Sequence, residues 1–425
     1  MNIVIIGSGG REHSICYKLS KSRKINKIYC LPGNAGTKKI AENININILD
    51  FDEVYKVIKN HKIDIVIVGP EEPLVNGIVD FLSNKGIRVF GPSKFASQLE
   101  GSKAFMKNLC EKNKIPTAKF GVFDDFQRAV DFLNKNKTPI VVKADGLAAG
   151  KGVSICNSID EAKKNIKEIL EGKYKYSKKV VLEEFLEGEE LSYFLIVDKN
   201  SYKFFGSAQD HKKVGEGDVG PNTGGMGAYS PSSLLTNELE EKIKKKIINP
   251  TLKAMESLGH PYQGFLYAGL MVSKGEPYLI EYNIRMGDPE CQVLMMRLKN
   301  DLLQLIDVAT KNKLENFEIE WKKDNCITIV LCAKGYPGKY IKNSEIKNLY
   351  KVVSDENNQV FHAGTYEKNE KIFSNGGRVL NITSLGKNLF GAREKSLEIL
   401  KKISWNDGFF RKDIGWRVIK KNENN

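Results

Sequence analysis

The sequence predicts an α/β protein of several domains, and three observations carry that reading. Residues 1 to about 100 alternate short apolar strands with helical stretches, the pattern of parallel strands joined by crossover helices. Residues from about 103 to 322 set strands around two glycine-rich loops and a long amphipathic helix. From about 323 the pattern becomes short strands separated by turns, as in a small α+β appendage. At 425 residues the chain exceeds one compact core, so about two to four domains are expected. The expected divisions are 1–102, 103–322 and 323–425.

In the first region, residues 3–6, 27–31, 63–68 and 88–90 read as strands. A helix over about 95–113 follows, and Ile115-Pro116 ends it because the residue before proline is steered away from helix. The second region offers a strand at 140–143, a Gly/Ala-rich turn, a strand at 153–156, a helix at 159–170 and a strand at 180–185. A glycine-rich loop spans 215–227, and an amphipathic helix covers about 237–258. Strands at 264–272 and 277–282 come next. Short strands at 326–332, 360–363 and 378–383 and a helix near 392–403 complete the chain, with turns at Tyr336-Pro-Gly338 and Asn375-Gly-Gly377.

Composition excludes several classes. Hydrophobic content of 41% and charged content of 28% are those of an ordinary globular protein. No apolar stretch approaches the roughly 20 residues that span a bilayer, and the N-terminus shows no basic-then-apolar signal pattern. The seven cysteines form no Cys-x-x-Cys pair and their number is odd, which fits buried thiols in a reducing cytoplasm. A cytoplasmic location is therefore expected. The net charge of +14 is spread over helix faces such as Glu240-Glu-Lys-Ile-Lys-Lys-Lys246, where lysines alternate with glutamates. With no arginine-rich run or interleaved aromatic patch, nucleic-acid binding is disfavoured.

Chemistry concentrates in a few segments. Leu279-Ile-Glu-Tyr-Asn-Ile-Arg-Met-Gly-Asp-Pro-Glu290 ends an apolar strand, and alternation is expected to place Glu281, Asn283 and Arg285 on one face. Three such groups alone read as a solvated strand end. With the Gly/Lys-rich remainder of the chain, two oxygen donors beside a guanidinium suit a hard cation and a transferring phosphoryl group. Val142-Lys-Ala-Asp-Gly-Leu-Ala-Ala-Gly-Lys-Gly-Val153 has the composition of a phosphate loop, but strands flank it and no Ser or Thr follows Lys151. It reads as a hairpin flap over phosphates, with Lys143 on the strand and Lys151 at the tip.

Gly7-Ser-Gly-Gly-Arg-Glu-His13 joins the first strand to a helix, where backbone amides and the helix N-terminus favour an anion. Glu12 stands where a third fingerprint glycine belongs, and no acid follows the second strand to hold a ribose, so a dinucleotide is disfavoured. A phosphate or sugar phosphate near Arg11 and a plain strand-to-helix turn fit this motif equally well. Glu71 and Glu72 follow another parallel strand; they suit hydroxyl or amine binding, or simply complement a helix dipole. Val181-Leu-Glu-Glu-Phe-Leu-Glu-Gly-Glu-Glu190 carries a strand into an acidic turn that, taken alone, is more often a solvated hairpin but is able to meet a base edge and a ribose. Asp210-His-Lys212 and Gly220-Pro-Asn-Thr-Gly-Gly-Met-Gly227 form a loop that can wrap a small substrate, with His211 as a hydrogen-bonding residue.

Together these segments resemble the glycinamide ribonucleotide synthetase (phosphoribosylamine–glycine ligase) family of the ATP-grasp superfamily. The resemblance covers nearly the whole chain, through GSGGREH, PGNAG at 32–36, VGPEEPLV, GPSK at 91–94, QLEGSKAFMK at 98–107, KADGLAAGKGV, EEFLEGEE, QDHK, GPNTGGMGAYSP, GFLYAGLM, EYNIRMGDPE, FHAGT, NGGRV and RKDIGWR at 411–417. It implies an ATP-grasp fold behind a Rossmann-like (pre-ATP-grasp) N-terminal domain, with a lid subdomain at about 119–190. It also implies a monomeric purine-synthesis enzyme that joins ATP, glycine and 5-phosphoribosylamine. By resemblance, Lys103, Lys143 and Lys151 meet the nucleotide phosphates, Glu183, Glu184, Phe185 and Leu186 line the adenine pocket, and Glu190 takes the ribose. Glu281 and Asn283 hold Mg²⁺ or Mn²⁺, and Arg285 steadies the phosphoryl group, so Arg285, Lys143 and Lys151 are the catalytic expectation. Gly9, Gly10, Arg11, Asn34 and Glu71 are candidates for phosphoribosylamine, and Asp210, Lys212, Asn222, Gly224, Gly225 and Asp288 complete the substrate set. Departures from the family pattern are local: Ile284, Met286 and Val219 replace commoner residues, and Tyr267-Ala-Gly269 lies where related enzymes often place another acidic metal ligand.

Overall fold

In the computed structural model, residues 1–147, 152–174, 177–352 and 354–423 are described. Strands β1 (Asn2–Gly7), β2 (Lys27–Pro32), β3 (Glu42–Asn43), β4 (Ile65–Val68) and β5 (Val89–Phe90) form a parallel sheet in the order β3-β2-β1-β4-β5. Alternation along β1 sends Ile3 and Ile5 into one apolar core and Val4 and Ile6 into another. Both sheet faces are covered, which is why β1 and β4 read as unbroken apolar runs. Strand order reverses between β1 and β4, so the turns that leave them open side by side at the carboxyl edge of the sheet. This topology brings Gly9–Arg11 and Glu71 together.

Strands β6 (Phe120–Phe123), β7 (Ile140–Ala144), β8 (Val153–Cys156) and β9 (Val180–Glu184) make a separate antiparallel sheet, ordered β6-β9-β7-β8. Helices Phe126–Asn134 and Ile159–Leu170 close its own core around Leu133, Val142, Ile166 and Leu182. Asp125 and Ser158 cap these two helices, each accepting a backbone N–H three residues on.

The rest of the chain is built on one long sheet. After β9 come β10 (Glu189–Val197), β11 (Tyr202–Asp210), the hairpin of β12 (Lys213–Gly215) and β13 (Val219–Asn222), β14 (Gly227–Ser230), β15 (Gly264–Ser273) and β16 (Glu276–Asn283). The C-terminal strands are β17 (Asn325–Ala333), β18 (Glu345–Ile346), β19 (Asn358–His362), β20 (Thr365–Lys368), β21 (Lys371–Ser374), β22 (Arg378–Gly386) and β23 (Gly408–Phe409). Nine of them form a sheet in the order β16-β15-β10-β11-β14-β17-β22-β19, with β23 beside β17. Pairing of β14 with β17, from Gly227↔Ile329 to Ser230↔Cys326, carries the ladder straight across the division expected at 322/323.

Three elements differ from their sequence reading. The helix expected over 95–113 is broken at Ser102, whose extended backbone lets its hydroxyl cap the next helix by accepting Phe105 N–H. The helix expected over 237–258 holds a π-helical turn at Lys244–Ile248, just before Pro250, which lacks the N–H that would continue the ladder. The loop expected over 215–227 contains the β12–β13 hairpin. All seven cysteines are buried and free. Among the described residues no helix is long and apolar enough to cross a membrane.

Ile67 lies in the middle of β4, 1% exposed, between β1 and β5. Replacing it with Ala is expected to remove about 2–5 kcal/mol of stability, measured as a lower urea midpoint with unchanged far-UV circular dichroism in buffer.

Candidate active site

Strand β16 supplies the first functional pair through a β-bulge. Its register with β15 runs Met271↔Tyr278 and Leu270↔Leu279, then steps to Gly269↔Glu281, leaving Ile280 as the extra residue. Alternation restarts after the bulge, so Glu281 and Asn283 share a face and Tyr282 turns to the core, its hydroxyl 2.7 Å from that of Thr251. The strand stops at Asn283. Arg285 therefore does not continue the strand face, contrary to the sequence reading. It is held instead by carboxylates from other elements: Nε donates to Glu71 Oε2 at 3.2 Å and Nη2 to Glu100 Oε1 at 2.8 Å. Burial would raise the Glu281 pKa, but Lys212, Lys143, Lys103 and Arg285 hold it below the ordinary carboxylate range. Lys212 and Glu281 line one cavity, and Lys103, Lys143 and Arg285 lie close enough to act on the same carboxylate.

Other elements supply the lysines. Lys103 opens the helix Lys103–Lys112 and its ammonium donates to Gly146 O at 3.1 Å. Lys143 on β7 lies 2.8 Å from Glu183 Oε1, an ion pair without hydrogen-bond alignment. Lys107, fully buried, lies 2.8 Å from Glu183 Oε2 and donates to Thr117 Oγ1 at 2.7 Å. Burial opposes the charge of Glu183, and Lys143 and Lys107 hold its pKa low. The Glu183 backbone pairs with both β6 and β7. Glu183 is therefore a buried counter-ion that fixes both Lys143 and Lys107, a part that the sequence reading did not give it. Glu184 Oε1 accepts Lys119 N–H at 2.9 Å, while Phe185 is exposed and Leu186 half-buried beyond the strand end. Glu190 Oε2 lies 2.7 Å from Lys212 Nζ. Lys151 lies outside the described residues.

At the switch point of the parallel sheet, Arg11 is buried; its Nε pairs with Glu12 Oε1 at 2.5 Å and Nη1 donates to Met286 O at 3.2 Å. Glu12 Oε2 accepts Gly9 N–H at 2.6 Å. A Cβ on Gly10 would fall 2.3 Å from the Asn381 amide, so a side chain is excluded there. Asn34 is saturated: its amide donates to Ser8 O and His362 O, both at 2.8 Å, and its oxygen accepts Gly36 and Thr37 N–H. It ties the loop to the C-terminal region, leaving no side-chain group for a substrate. His13 does similar work, its Nδ1 accepting His362 N–H at 2.8 Å, and burial drops its pKa to about 3. Burial would raise Glu71, yet Arg285 and Arg11 bring it to about 2. Burial pushes Glu100 up to about 7, with Arg285 pulling the other way.

The Asp210–Gly227 loop forms the third side. Asp210 Oδ1 is buried without a hydrogen-bond partner among the described residues, and burial with Glu290 nearby pushes its pKa well up. Gly225 adopts φ +113°, and a Cβ there would lie 2.7 Å from Asp210 Oδ1. Gly224 is held from the C-terminal region by Arg378 Nη1, which donates to its carbonyl at 2.6 Å, and by the Tyr336 hydroxyl, which accepts its N–H at 2.9 Å. Arg378 also donates to the Asp288 carbonyl, and the Asp288 carboxylate takes Gln292 Nε2 at 2.8 Å. Asn222 is exposed at the end of β13, paired across the hairpin with Lys213. His211 Nε2 accepts Gly415 N–H at 3.0 Å, the hydrogen-bonding part expected of it.

Sequence reasoning singled out neither Glu100, Lys107 and Glu183 as counter-ions nor Arg378 and Tyr336 as clamps. Lys107 and Glu100 stood in QLEGSKAFMK, where an i, i+7 spacing around Lys103 was the available signal.

Three family models match in order: Phosphoribosylglycinamide synthetase N domain over residues 1–100, its ATP-grasp (A) domain over 101–291 and its C domain over 326–417. The chain is 48% identical over 420 residues to the phosphoribosylamine–glycine ligase of Mesorhizobium japonicum, with 99% of each chain covered. It is 46% identical over 426 residues to that of Haemophilus influenzae, again with 99% of each covered. The crystal structure of phosphoribosylamine–glycine ligase from Thermotoga maritima superposes with a TM-score of 0.86 at 33% identity, over 97% of this chain and 100% of that one. A biotin carboxylase domain from Hydrogenobacter thermophilus shares the fold, with a TM-score of 0.75 at 18% identity over 96% and 91% of the two chains. With all three domain models in register and such relatives along its length, the chain belongs to the phosphoribosylglycinamide synthetase family.

Proposed function

We propose that the chain catalyses the ATP-dependent ligation of glycine to 5-phosphoribosylamine. The products are N1-(5-phosphoribosyl)glycinamide, ADP and phosphate. The observation that carries this reading is the cluster of charges around Glu281: Lys212 lines one cavity with it, and Lys103, Lys143 and Arg285 are close enough to act on its charge. Such a cluster suits a polyphosphate and its metal. A carboxylate is a poor electrophile, so glycine first takes the γ-phosphoryl group from ATP, releasing ADP. The amine of phosphoribosylamine then attacks the acyl carbon, the carbon–oxygen bond to phosphate breaks, and the nitrogen gives up a proton. No protein nucleophile is needed, and catalysis consists of positioning and charge stabilisation.

Each element then has a part. Lys103 and Lys143 hold nucleotide phosphates, and Glu183 fixes Lys143 while Lys107 neutralises its second oxygen. Phe185 and Leu186, past the end of β9, meet the adenine edge with Glu184 behind them, and Glu190 takes the ribose. Arg285 steadies the migrating phosphoryl group, and Lys151 belongs to the flap. Asp210 offers the oxygen that has no hydrogen-bond partner among the described residues to the glycine ammonium, with Lys212, Gly224 and Gly225 nearby in sequence. Gly9, Gly10, Arg11, Glu71 and Asp288 receive phosphoribosylamine, and Asn34 shapes their loop.

Glu281 and Asn283 suit Mg²⁺ or Mn²⁺, because both are oxygen donors on one strand face. Among the described residues no group of three or more His, Cys, Asp or Glu could hold a metal, and this pair would hold the ion through the Glu281 carboxylate and the Asn283 amide oxygen. When bound, the ion neutralises charge on the transferring phosphates. We read the enzyme as a monomer in the cytoplasm.

ADP release should require both glycine and freshly prepared phosphoribosylamine, with each omitted in turn as control. Oxygen-18 in the glycine carboxylate should appear in the released phosphate; phosphate carrying only solvent oxygen would rule out the acyl phosphate. Changing Glu281→Gln should cost about 10²–10³ in kcat. The same change should raise the Mg²⁺ concentration needed for half-activity while leaving the unfolding midpoint near that of the wild type.

A further inference from the structure

Glu100 sits in the short helix Gln98–Gly101, three residues before Lys103, and its carboxylate side chain is 10% exposed. Its two oxygens serve two different donors. Oε1 accepts Arg285 Nη2 at 2.8 Å, and Oε2 accepts the backbone N–H of Ile284 at 2.8 Å. One side chain thereby fixes both the guanidinium and the peptide that leaves Asn283. The other bonds to Arg285 are longer: 3.2 Å to Glu71 and 3.3 Å to the Met286 carbonyl.

A guanidinium carries five N–H donors in a rigid fork. Three are engaged here, by Glu71, Glu100 and Met286, leaving one N–H on each terminal nitrogen among the described contacts. The orientation of those two follows from the three that are held. Ser102 adds a second link in the same segment, its hydroxyl donating to Asp145 at 3.1 Å while Lys103 bonds Gly146 next door. Residues 100–103 thus tie the arginine end of β16 to the loop that begins the flap.

We propose that Glu100 is a positioning residue for phosphoryl transfer, acting through Arg285 and the Ile284 peptide without touching substrate. This rests on the ligase reading above. Because the contact aims a group that acts on the migrating phosphoryl, its loss falls on kcat and spares ground-state binding.

The test is a double-mutant cycle on the full chain, following glycine- and phosphoribosylamine-dependent ADP release. Glu100→Gln keeps the shape but puts an amide NH₂ against one of two donors. It should lower kcat by about 10- to 100-fold, with KM for ATP and glycine within about threefold. Glu100→Asp, which restores the carboxylate, should recover part of that loss. In an Arg285→Lys background, Glu100→Gln should change kcat by less than about threefold, since the group it positions is gone. Wild-type rates in Glu100→Gln, effects that multiply in the double variant, or a loss confined to KM would each overturn the proposal. Wild-type turnover in the same assay separates the two claims: without it the ligase reading falls, and with it a silent Glu100→Gln sinks only this one.

Discussion

Buried cations that must each find a counter-charge organise this molecule. Arg11, Lys107, Lys143 and Arg285 all reach the interior, where an unpaired charge is far costlier than in water. Glu12, Glu183, Glu71 and Glu100 answer them. Arg11 and Glu12 are neighbours in one helix, but the other pairs join separate elements. Meeting those charges also ties the loop after β16 to the parallel-sheet region and the helix Lys103–Lys112 to the four-stranded sheet. Cations held this way are preorganised for an anionic substrate and need little rearrangement to receive it.

Topology explains why the cleft lies where it does. The turns after β1 and β4 open at a switch point, and the loop after β16 arrives between them, bringing Met286 O to Arg11 and Arg285 to Glu71. The bulge at Ile280 sets the phase of β16, so that Glu281 and Asn283 leave the sheet on one face while Tyr282 anchors in the core. The C-terminal strands contribute from behind: Arg378 and Tyr336 clasp the glycine loop, and His362 closes on Asn34 and His13.

Much of this was legible in the sequence because its cause is local. Apolar runs of β1 and β4, the helix at 159–170 and the Glu281/Asn283 alternation all follow from patterns within a few residues. Contacts between distant segments were not legible. No local pattern says that Glu183 faces Lys107 and Lys143 when the three lie on separate elements, or that Asn34 is saturated by the Ser8 and His362 carbonyls. Arg285 shows both sides: residue type and neighbourhood marked it, but its place beyond the strand end depends on Glu71 and Glu100. The π turn before Pro250 escaped for a subtler reason, since side-chain periodicity survives a single wide turn.

The ladder from β14 to β17 reaches beyond the cleft. A chain terminated before β17 would leave β14 with a row of bare amides and carbonyls, an invitation to pair with any neighbouring strand. Such a fragment is a candidate for aggregation rather than a minimal enzyme. Evolutionary exchange of the C-terminal part would have to preserve a matching strand, which ties the fates of the two halves of the gene together.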